Sequence, residues 1–284
     1  MKVNFIAEVS SNHSKDLSRC YEFIDTASRI GCGTVKFQLF RIDKLFAKEI
    51  LDKSKKHRDR KNWELPISFI EPLAKYSHEK GLKFTCTPFD LEAVKILEPY
   101  VDFYKIASYE LLWDDLLKAC AMTSKEVVLS TGMANLEEIM HAVDTLKFNG
   151  CEKLSLLHCI SGYPTPINEC NLKAIETISN KTNCPVGWSD HSVSSAVIYR
   201  AVNKWNAKII EFHLDLDGEG EEFSTGHCWL PKEIELVIKN INQGLLADGN
   251  GRKVPAESEI KDRDWRADPS DGLRPIRFIR NDFK

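Results

Sequence analysis

Two short stretches of the sequence each place a histidine at the end of an apolar segment. Gly187-Trp188-Ser189-Asp190-His191 ends in His191, and Glu211-Phe212-His213 ends in His213. Each histidine lies within two residues of a carboxylate, and carboxylates commonly orient metal-bound imidazoles. Two imidazoles with oxygen ligands from water or a substrate suit Mn²⁺ or a similar divalent ion. A lone strand histidine is more often a packed core residue, but this pair could hold one metal, with His227 as a candidate for a further donor.

Lys36 and Lys105 lie inside apolar sequence, where an unpaired ammonium group is costly to bury. Three explanations are open. Each lysine could pair with a carboxylate such as Glu8 or Glu211. Both lysines could instead bind an anionic ligand such as a phosphate, to which Ser130 and its neighbours would add hydroxyl groups. A Schiff base with a carbonyl substrate is the third explanation.

The elements that must position these residues alternate between strand and helix at a spacing of about 30 residues. Strands are predicted at residues 3–9, 34–40, 83–88, 103–108, 126–132, 153–159, 185–189 and 208–213. A helix from residue 17 to Gly31 follows the first strand, an exposed polar excursion covers 53–60, and further helices are predicted at residues 66–80, 91–97, 114–122, 136–148, 172–178, 196–205 and 231–246. Eight such repeats predict an α/β fold, the closed (β/α)8 TIM barrel. The rival is a doubly wound open sheet, but the GxGxxG turn that would favour it is absent after the first strand.

Active sites of such barrels lie at the C-terminal ends of the strands, and every predicted strand ends in polar residues. These residues are Glu8, Asn12 and His13; Lys36 and Gln38; Thr85, Thr87 and Asp90; Lys105, Ser108 and Glu110; Ser130 and Thr131; His158, Ser161 and Tyr163; Ser189, Asp190 and His191; Glu211, His213 and Asp215. One polar strand end is ordinarily a turn residue, whereas eight in succession favour a functional site. The role of His158 is left open between packing and the site.

Composition excludes several classes of function. The 284 residues carry 39 basic and 42 acidic side chains, a net charge of −3, so neither a nucleic acid nor a membrane surface is expected as a partner. The first eight residues lack the pattern of a secretory signal, and no apolar run approaches the roughly 20 residues of a membrane helix. The nine cysteines are scattered without a CxxC pair, which favours buried thiols in a reducing compartment. A cytoplasmic protein is predicted.

The motifs at the strand ends together resemble those of sialic acid synthases, the N-acetylneuraminate synthase family. They are Ala7-Glu8-Val9 with Asn12-His13, Val35-Lys36-Phe37-Gln38, Cys86-Thr87-Pro88-Phe89, Tyr104-Lys105-Ile106-Ala107-Ser108, Leu129-Ser130-Thr131-Gly132-Met133, Leu157-His158-Cys159 with Tyr163-Pro164-Thr165-Pro166, Ser189-Asp190-His191 and Glu211-Phe212-His213. Each motif is weak alone, but eight in order are specific. The resemblance covers roughly residues 3 to 250.

The resemblance implies condensation of phosphoenolpyruvate with an N-acyl amino-sugar aldehyde such as N-acetylmannosamine, which gives sialic acid or a related nonulosonic acid and phosphate. It implies Mn²⁺ or Mg²⁺ on His191 and His213, and Glu110 and Glu8 as catalytic residues. Phosphoenolpyruvate would bind Lys36, Thr87, Lys105, Ser108, Ser130 and Ser189. The sugar would contact Asn12, His13, Gln38, Ser161 and Tyr163. Two alternatives remain: another barrel aldolase or 3-deoxy-sugar-acid synthase, and a non-catalytic sugar- or phosphate-binding relative.

Several residues depart from the family pattern. Phe212 stands where a basic residue is common, and Ser161 stands where many relatives have asparagine. Gly226 replaces an acidic residue, and the preceding loop 217–225 is longer and acidic, so that Glu219, Glu221 or Glu222 could substitute. We expect a barrel domain at 1–250 and a charged C-terminal tail at 251–284 in place of the family's antifreeze-like domain. The tail could supply Arg266 or Arg274 to a barrel mouth, although a surface tail is favoured, and the resemblance suggests a homodimer.

Overall fold

The computed structural model describes residues 3–283, and its centre is a closed sheet of parallel strands. The strands are β1 Asn4–Glu8, β2 Thr34–Leu39, β3 Lys83–Pro88, β4 Phe103–Ile106, β5 Glu126–Ser130, β6 Leu154–His158, β7 Val186–Asp190, β8 Ile209–Leu214 and β9 Cys228–Trp229. Strands adjacent in sequence are adjacent in the sheet, and β1 also pairs with β8, which closes the barrel. The predicted (β/α)8 barrel is confirmed.

Helices separate the strands. The α-helices are α1 Leu17–Arg29, α2 Ile42–Leu45, α3 Lys48–Lys53, α4 Lys55–Asp59, α5 Ile70–Glu79, α6 Leu91–Leu97, α7 Asp114–Ala121, α8 Leu136–Phe148, α9 Ala174–Thr182, α10 Ser195–Asn203, α11 Pro231–Ala247 and α12 Arg277–Arg280. Short 3₁₀ helices are Ser10–His13, Arg60–Trp63, Ile67–Phe69, Ser108–Glu110, Ile167–Glu169, Phe223–Thr225, Glu257–Trp265 and Asn281–Phe283.

The inside of the barrel is built in two layers that differ in polarity. The lower layer is apolar and consists of Ile6, Phe103, Val128, Leu157 and Ile209. Successive side chains of a strand point to opposite faces, so the residue two positions later points inward again, one layer closer to the C-terminal end. Those residues are Glu8, Lys105, Ser130, Cys159 and Glu211. An apolar floor therefore supports a polar upper layer.

Most strands and helices lie within two residues of their predicted bounds, and the differences fall at ends and loops. The predicted excursion at 53–60 belongs to three short helices, of which α3 and α4 bury no residue. The helix predicted from residue 172 begins at Ala174. The two-residue strand β9 was not predicted, because two residues are too few to show the alternation that marks a strand.

The nine cysteines are buried free thiols, as predicted. Within residues 3–283 no helix is both long and apolar enough to cross a membrane. The cytoplasmic location and the homodimer stay predictions.

The chain divides into two compact units, Met1–Leu245 and Leu246–Lys284. In the second unit, Asp268 accepts hydrogen bonds from the backbone N–H groups of Ser270 and Arg277, and Arg280 binds Asp271 with both terminal nitrogens. The predicted domain limits stay predictions, and their outer ends, residues 1 and 284, lie outside the described residues.

Candidate active site at the C-terminal end of the barrel

Two lysines and two carboxylates form a buried network in the upper layer of the barrel. Lys36 Nζ contacts Glu8 Oε2 and lies 3.7 Å from Glu211 Oε2. Glu211 Oε1 lies 3.6 Å from Lys105 Nζ. Glu8 is in register with Lys36 across β1 and β2, which explains their contact. Ion pairing, the first of the three explanations for the lysines, is therefore present in the structure.

The two lysines differ in how far nearby carboxylates offset the effect of burial on their pKa values. Burial lowers the pKa of Lys36, but Glu211 and Glu8 outweigh burial and hold it above its ordinary value. Burial lowers the pKa of Lys105, and the attraction of Glu211 does not restore it. Among the described residues, the one hydrogen-bond acceptor of Lys105 Nζ is the carbonyl of Ile106, at 3.2 Å. An ammonium group has three donors, so Lys105 can still bind an anion.

Glu110 lies beside this network, on the 3₁₀ turn that follows β4, and is 8% exposed. Burial raises its pKa to about 7, although the charge of Lys105 opposes the shift. Within the described residues its Oε2 atom has no hydrogen-bond partner. A carboxyl group with a pKa near neutrality and a free oxygen suits proton transfer at physiological pH.

A wall of small polar groups closes one side of the site. Ser108 Oγ accepts a hydrogen bond from the Gly132 backbone N–H at 3.0 Å and lies 3.2 Å from Cys159 Sγ. The Oγ of Ser161 is buried and lacks a partner among the described residues. A Cβ on Gly132 would lie 2.9 Å from Ser108 Oγ and would overlap Ser161 Oγ. Only glycine lets these hydroxyl groups approach the backbone here.

The other hydroxyl groups predicted to bind phosphoenolpyruvate line the same end of the barrel. Thr87 Oγ1 accepts a hydrogen bond from Lys36 Nζ at 3.5 Å, and Ser189 Oγ donates to Glu211 Oε1 at 3.2 Å. Ser130 is buried at the end of β5. The structure thus brings the predicted phosphoenolpyruvate residues together, while their role stays a prediction.

His191 and His213 lie side by side after β7 and within β8, with ring centroids 5.4 Å apart. His191 Nδ1 is 2.7 Å from the carbonyl oxygen of Ile160, and His213 Nδ1 is 3.0 Å from Glu222 Oε2. Both partners accept only, so each Nδ1 carries the hydrogen. Burial lowers the pKa of His191 to about 3, whereas Glu222 outweighs burial and raises that of His213.

Glu222, one of the three acidic residues of the loop before Gly226, places its carboxylate beside His213 and His227. Its Oε2 atom lies 3.5 Å from His227 Nε2 as well as beside His213. Burial works to raise the pKa of Glu222, but its hydrogen bonds to His213 and His227 outweigh burial and lower it. Donor atoms of His213, Glu222, His227 and Cys228 all lie within 4.8 Å of one another. The sequence offered three loop carboxylates as candidates for this site, and the tertiary structure shows that Glu222 is the one beside the histidines. Cys228 was not predicted, because no motif in the sequence indicated it.

The donor chemistry of the neighbouring pair His191 and His213 fits a divalent cation. With Nδ1 engaged by a protein oxygen, the Nε2 atoms of His191 and His213 have no partner among the described residues. Neutral imidazole nitrogens held in this way are typical metal ligands, and carboxylate partners commonly orient them. Burial raises the pKa of the Cys228 thiol to about 12, so Cys228 is a poor ligand for a hard cation.

The residues predicted to contact the sugar differ in exposure and in the hydrogen bonds that they already make within the protein. The Tyr163 side chain is 41% exposed and lies 4.3 Å from the His191 ring, centroid to centroid. Gln38 Nε2 donates to Glu8 Oε1 at 2.9 Å. His13 is buried, which lowers its pKa to about 4. Asn12 is fully buried and already uses both ends of its amide: Nδ2 donates to the Leu214 carbonyl and the Cys228 sulfur, and Oδ1 accepts from the Glu222 backbone N–H.

Asp190 anchors the chain immediately before His191. Its buried carboxylate accepts hydrogen bonds from the indole N–H groups of Trp188 and Trp229. It also accepts from the Ser192 hydroxyl and the Val193 backbone N–H. With four donors on two oxygens, this carboxylate fixes the loop that carries His191.

Other predicted residues lie away from the site. His158 Nε2 donates to the Cys170 carbonyl, and its ring packs at 5.3 Å from Trp188, so packing is the role that the structure shows. Phe212 belongs to the core between strands and helices. It therefore points away from Glu211 and His213, and this departure from the family pattern leaves the polar layer unchanged.

Comparison with known proteins agrees with this geometry. The NeuB family profile matches residues 23–253. An uncharacterised protein of Methanocaldococcus jannaschii is 37% identical over 257 residues, which are 89% of this chain and 74% of that protein. N,N'-diacetyllegionaminic acid synthase of Campylobacter jejuni is 32% identical over 273 residues, 92% of this chain and 81% of that protein. The crystal structure of N-acetylneuraminic acid synthetase from Leptospira borgpetersenii serovar Hardjo-bovis, in complex with citrate, matches with a TM-score of 0.80 and 31% identity over 92% of this chain and 90% of that one. With most of the chain matched and its resemblance to sialic acid synthases confirmed, this protein belongs to the NeuB family.

Proposed function

We propose that this protein condenses phosphoenolpyruvate with an N-acyl amino-sugar aldehyde and releases phosphate and a nonulosonic acid. The observation that carries the proposal is the polar layer of Glu8, Lys36, Lys105 and Glu211 inside the barrel. Barrel interiors are ordinarily packed with branched apolar side chains, and buried charges are costly. Glu8 and Glu211 offset the charges of the two lysines, and the unused donors of Lys105 suit a further, negatively charged ligand. Relatives named as synthases of N,N'-diacetyllegionaminic acid and N-acetylneuraminic acid support this class of reaction.

Phosphoenolpyruvate presents a carboxylate and a phosphate, and the polar layer offers complementary donors. Lys105 has unused N–H donors, and Lys36 holds a positive charge through its two carboxylate partners. Ser108 Oγ accepts the Gly132 N–H and can direct its own hydrogen toward a ligand. In a buried site such charge-assisted hydrogen bonds are stronger than in water.

The chemistry needs one new carbon–carbon bond, a proton donor and a proton acceptor. The enol carbon of phosphoenolpyruvate bonds to the aldehyde carbon, and the aldehyde oxygen gains a proton. Water then adds to C2 and loses a proton. The C2 hydroxyl group collapses to a carbonyl as the bond between C2 and the phosphate oxygen breaks, and its proton leaves with the released inorganic phosphate. Glu110, with a pKa near 7 and a free oxygen, is placed to exchange one of these protons. Glu8 is the second predicted catalytic carboxylate, and its contact with Lys36 makes it a counter-ion of that lysine.

We propose that His191 and His213 hold a divalent cation, Mn²⁺ or Mg²⁺, through Nε2. When bound, the cation would act as a Lewis acid on the aldehyde oxygen and orient the sugar. Tyr163, exposed beside His191, would pack against the sugar. The Ser161 Oγ, which has no partner among the described residues, and Gln38 Oε1 would bind its hydroxyl groups, since Gln38 Nε2 already donates to Glu8 and Ser10. The contribution of Asn12 is indirect, because its amide holds the Glu222 backbone.

Phosphate release tests the proposal. The purified protein is incubated with phosphoenolpyruvate, Mn²⁺ and each of several acceptors: N-acetylmannosamine, its 6-phosphate and diacetamido-hexoses. We expect release only when all three components are present, with a product whose mass equals the sum of phosphoenolpyruvate, sugar and water minus phosphoric acid. Release without acceptor, or none with any acceptor while Mn²⁺ binds, would reject the proposal. Borohydride trapping of pyruvate on Lys36 or Lys105 would instead indicate a Schiff-base aldolase.

A further inference from the structure

We infer that Glu222, carried by the loop 217–225, is the residue that positions His213 for cation binding. The inference rests on the proposed function, because it assumes that a divalent cation binds at His213. It concerns the acidic loop before Gly226, a residue that has no side chain to offer to the site.

The two oxygens of Glu222 connect different parts of the site. Oε2 lies 3.0 Å from His213 Nδ1 and 3.5 Å from His227 Nε2, and Oε1 accepts a hydrogen bond from Ser10 Oγ at 2.6 Å. Ser10 in turn accepts a hydrogen bond from Gln38 Nε2, which also donates to Glu8. A carboxylate that accepts the Nδ1–H of His213 fixes the ring orientation and makes Nε2 a better ligand.

Hydrogen bonds and an ion pair hold the loop that carries Glu222 in one position. The Glu222 backbone N–H donates to Asn12 Oδ1 at 2.9 Å. Asp215, fully buried, accepts hydrogen bonds from the backbone N–H groups of Gly218 and Gly220 and pairs with Arg19 at 3.1 Å. A Cβ on Gly220 would lie 2.6 Å from Asn12 Oδ1 and would overlap Asp215 Oδ1, so the loop docks only with glycine at this position.

His191 shows the same arrangement with a different partner. Its Nδ1 donates to the backbone carbonyl oxygen of Ile160. This acceptor does not depend on the conformation of the loop 217–225. His213 has no such backbone acceptor among its described contacts and depends on the Glu222 side chain. The loop therefore decides the orientation of one of the two proposed ligands, and its loss should weaken cation binding without touching the lysine layer.

Cation affinity measured apart from catalysis tests the inference. Free Mn²⁺ is titrated by electron paramagnetic resonance against the wild type, Glu222→Gln, Gly220→Ala and, as the variant that removes a proposed ligand, His213→Gln. Glu221→Gln is the matched control, because Glu221 is exposed on the same loop and its one side-chain hydrogen bond among the described residues is from Trp63 Nε1, at 3.3 Å. We expect the Mn²⁺ dissociation constant to rise about 10- to 100-fold for Glu222→Gln and Gly220→Ala, and by less than about twofold for the control. At saturating Mn²⁺, the KM for phosphoenolpyruvate should stay within about threefold of wild type.

Three outcomes would overturn the inference. The first is wild-type Mn²⁺ affinity in both loop variants, with circular dichroism showing that they are folded. The second is a loss in Glu222→Gln as large as that in His213→Gln, which would make Glu222 a ligand. The third is no Mn²⁺ binding by the wild-type protein. A wild type that binds Mn²⁺ but releases no phosphate would reject the proposed reaction and leave the role of Glu222 standing.

Discussion

Replacing Glu110 with glutamine should make the folded protein more stable at alkaline pH and leave it nearly unchanged at acidic pH. Burial raises the pKa of this carboxyl group in the folded protein from 4.5 to about 7. The folded state therefore keeps the proton over a pH range in which the unfolded chain releases it. Stability is lost as the pH rises from about 4.5 to about 7, and the full penalty remains above that window. Glutamine fills the same space and carries no titrating proton.

The size of the effect follows from the two pKa values. A tenfold change in proton affinity is worth about 1.4 kcal/mol, so the penalty removed at pH 8.5 is about 3 kcal/mol. Glu110 is 8% exposed, so solvent screening does not erase this estimate. This penalty in folding free energy is what the wild-type protein loses by burying Glu110. Glu110 is also proposed to transfer a proton, so Glu110→Gln should lower the rate of phosphate release by roughly 100-fold or more.

Urea unfolding followed by circular dichroism at pH 4.5, 6.0, 7.0 and 8.5 measures the effect. The free energy of unfolding of Glu110→Gln minus that of wild type should be near zero at pH 4.5 and should grow by about 3 kcal/mol by pH 8.5. Glu137→Gln, at an exposed carboxylate in the first turn of α8, corrects for the general effect of the amide. A difference that is independent of pH, or one that grows toward acid, would refute the buried, proton-holding state of Glu110.

Three further predictions concern residues that hold the site together. Lys36→Met leaves the buried Glu8 carboxylate without its ion-pair partner, removes one of the two lysines beside Glu211, and should lower the free energy of unfolding by about 3–5 kcal/mol; a loss below about 1 kcal/mol in urea unfolding at pH 7 would contradict the ion-pair network. Gly132→Ala, whose Cβ would lie 2.9 Å from Ser108 Oγ, should raise the KM for phosphoenolpyruvate at least about tenfold at saturating Mn²⁺; an unchanged KM would mean that this hydroxyl wall does not bind it. Asp190→Asn turns an amide N–H toward donors such as Trp229 Nε1 and should cost about 2–3 kcal/mol, seen as a lower Tm; a Tm within about 1 °C of wild type would show that the carboxylate is not needed there.

Much of the fold could be predicted because its pattern is local. Alternating apolar strands and amphipathic helices appear directly in the sequence, and eight repeats close in one way, by pairing β1 with β8. The polar strand ends were predicted because polar residues follow each apolar strand, where the site of a barrel lies. Strand alternation explains why those that come two positions after an inward apolar residue also point inward. Ile6 and Glu8, and Phe103 and Lys105, follow this rule.

What the sequence determined by itself is therefore the barrel, the polar layer inside it and the resemblance to sialic acid synthases. Tertiary structure decided which groups meet. Glu222 is distinguished from its acidic neighbours by its contacts with Asn12 and His213. Asn12 is distant in the sequence and His213 lies on β8, so the loop sequence alone does not reveal these contacts. Strand alternation predicts that Phe212 points out of the barrel. The tertiary structure adds that it packs in the core between strands and helices, away from the polar layer. The pKa of Glu110 near neutrality has the same origin, because burial is a property of the packed chain and leaves no mark on the residue itself.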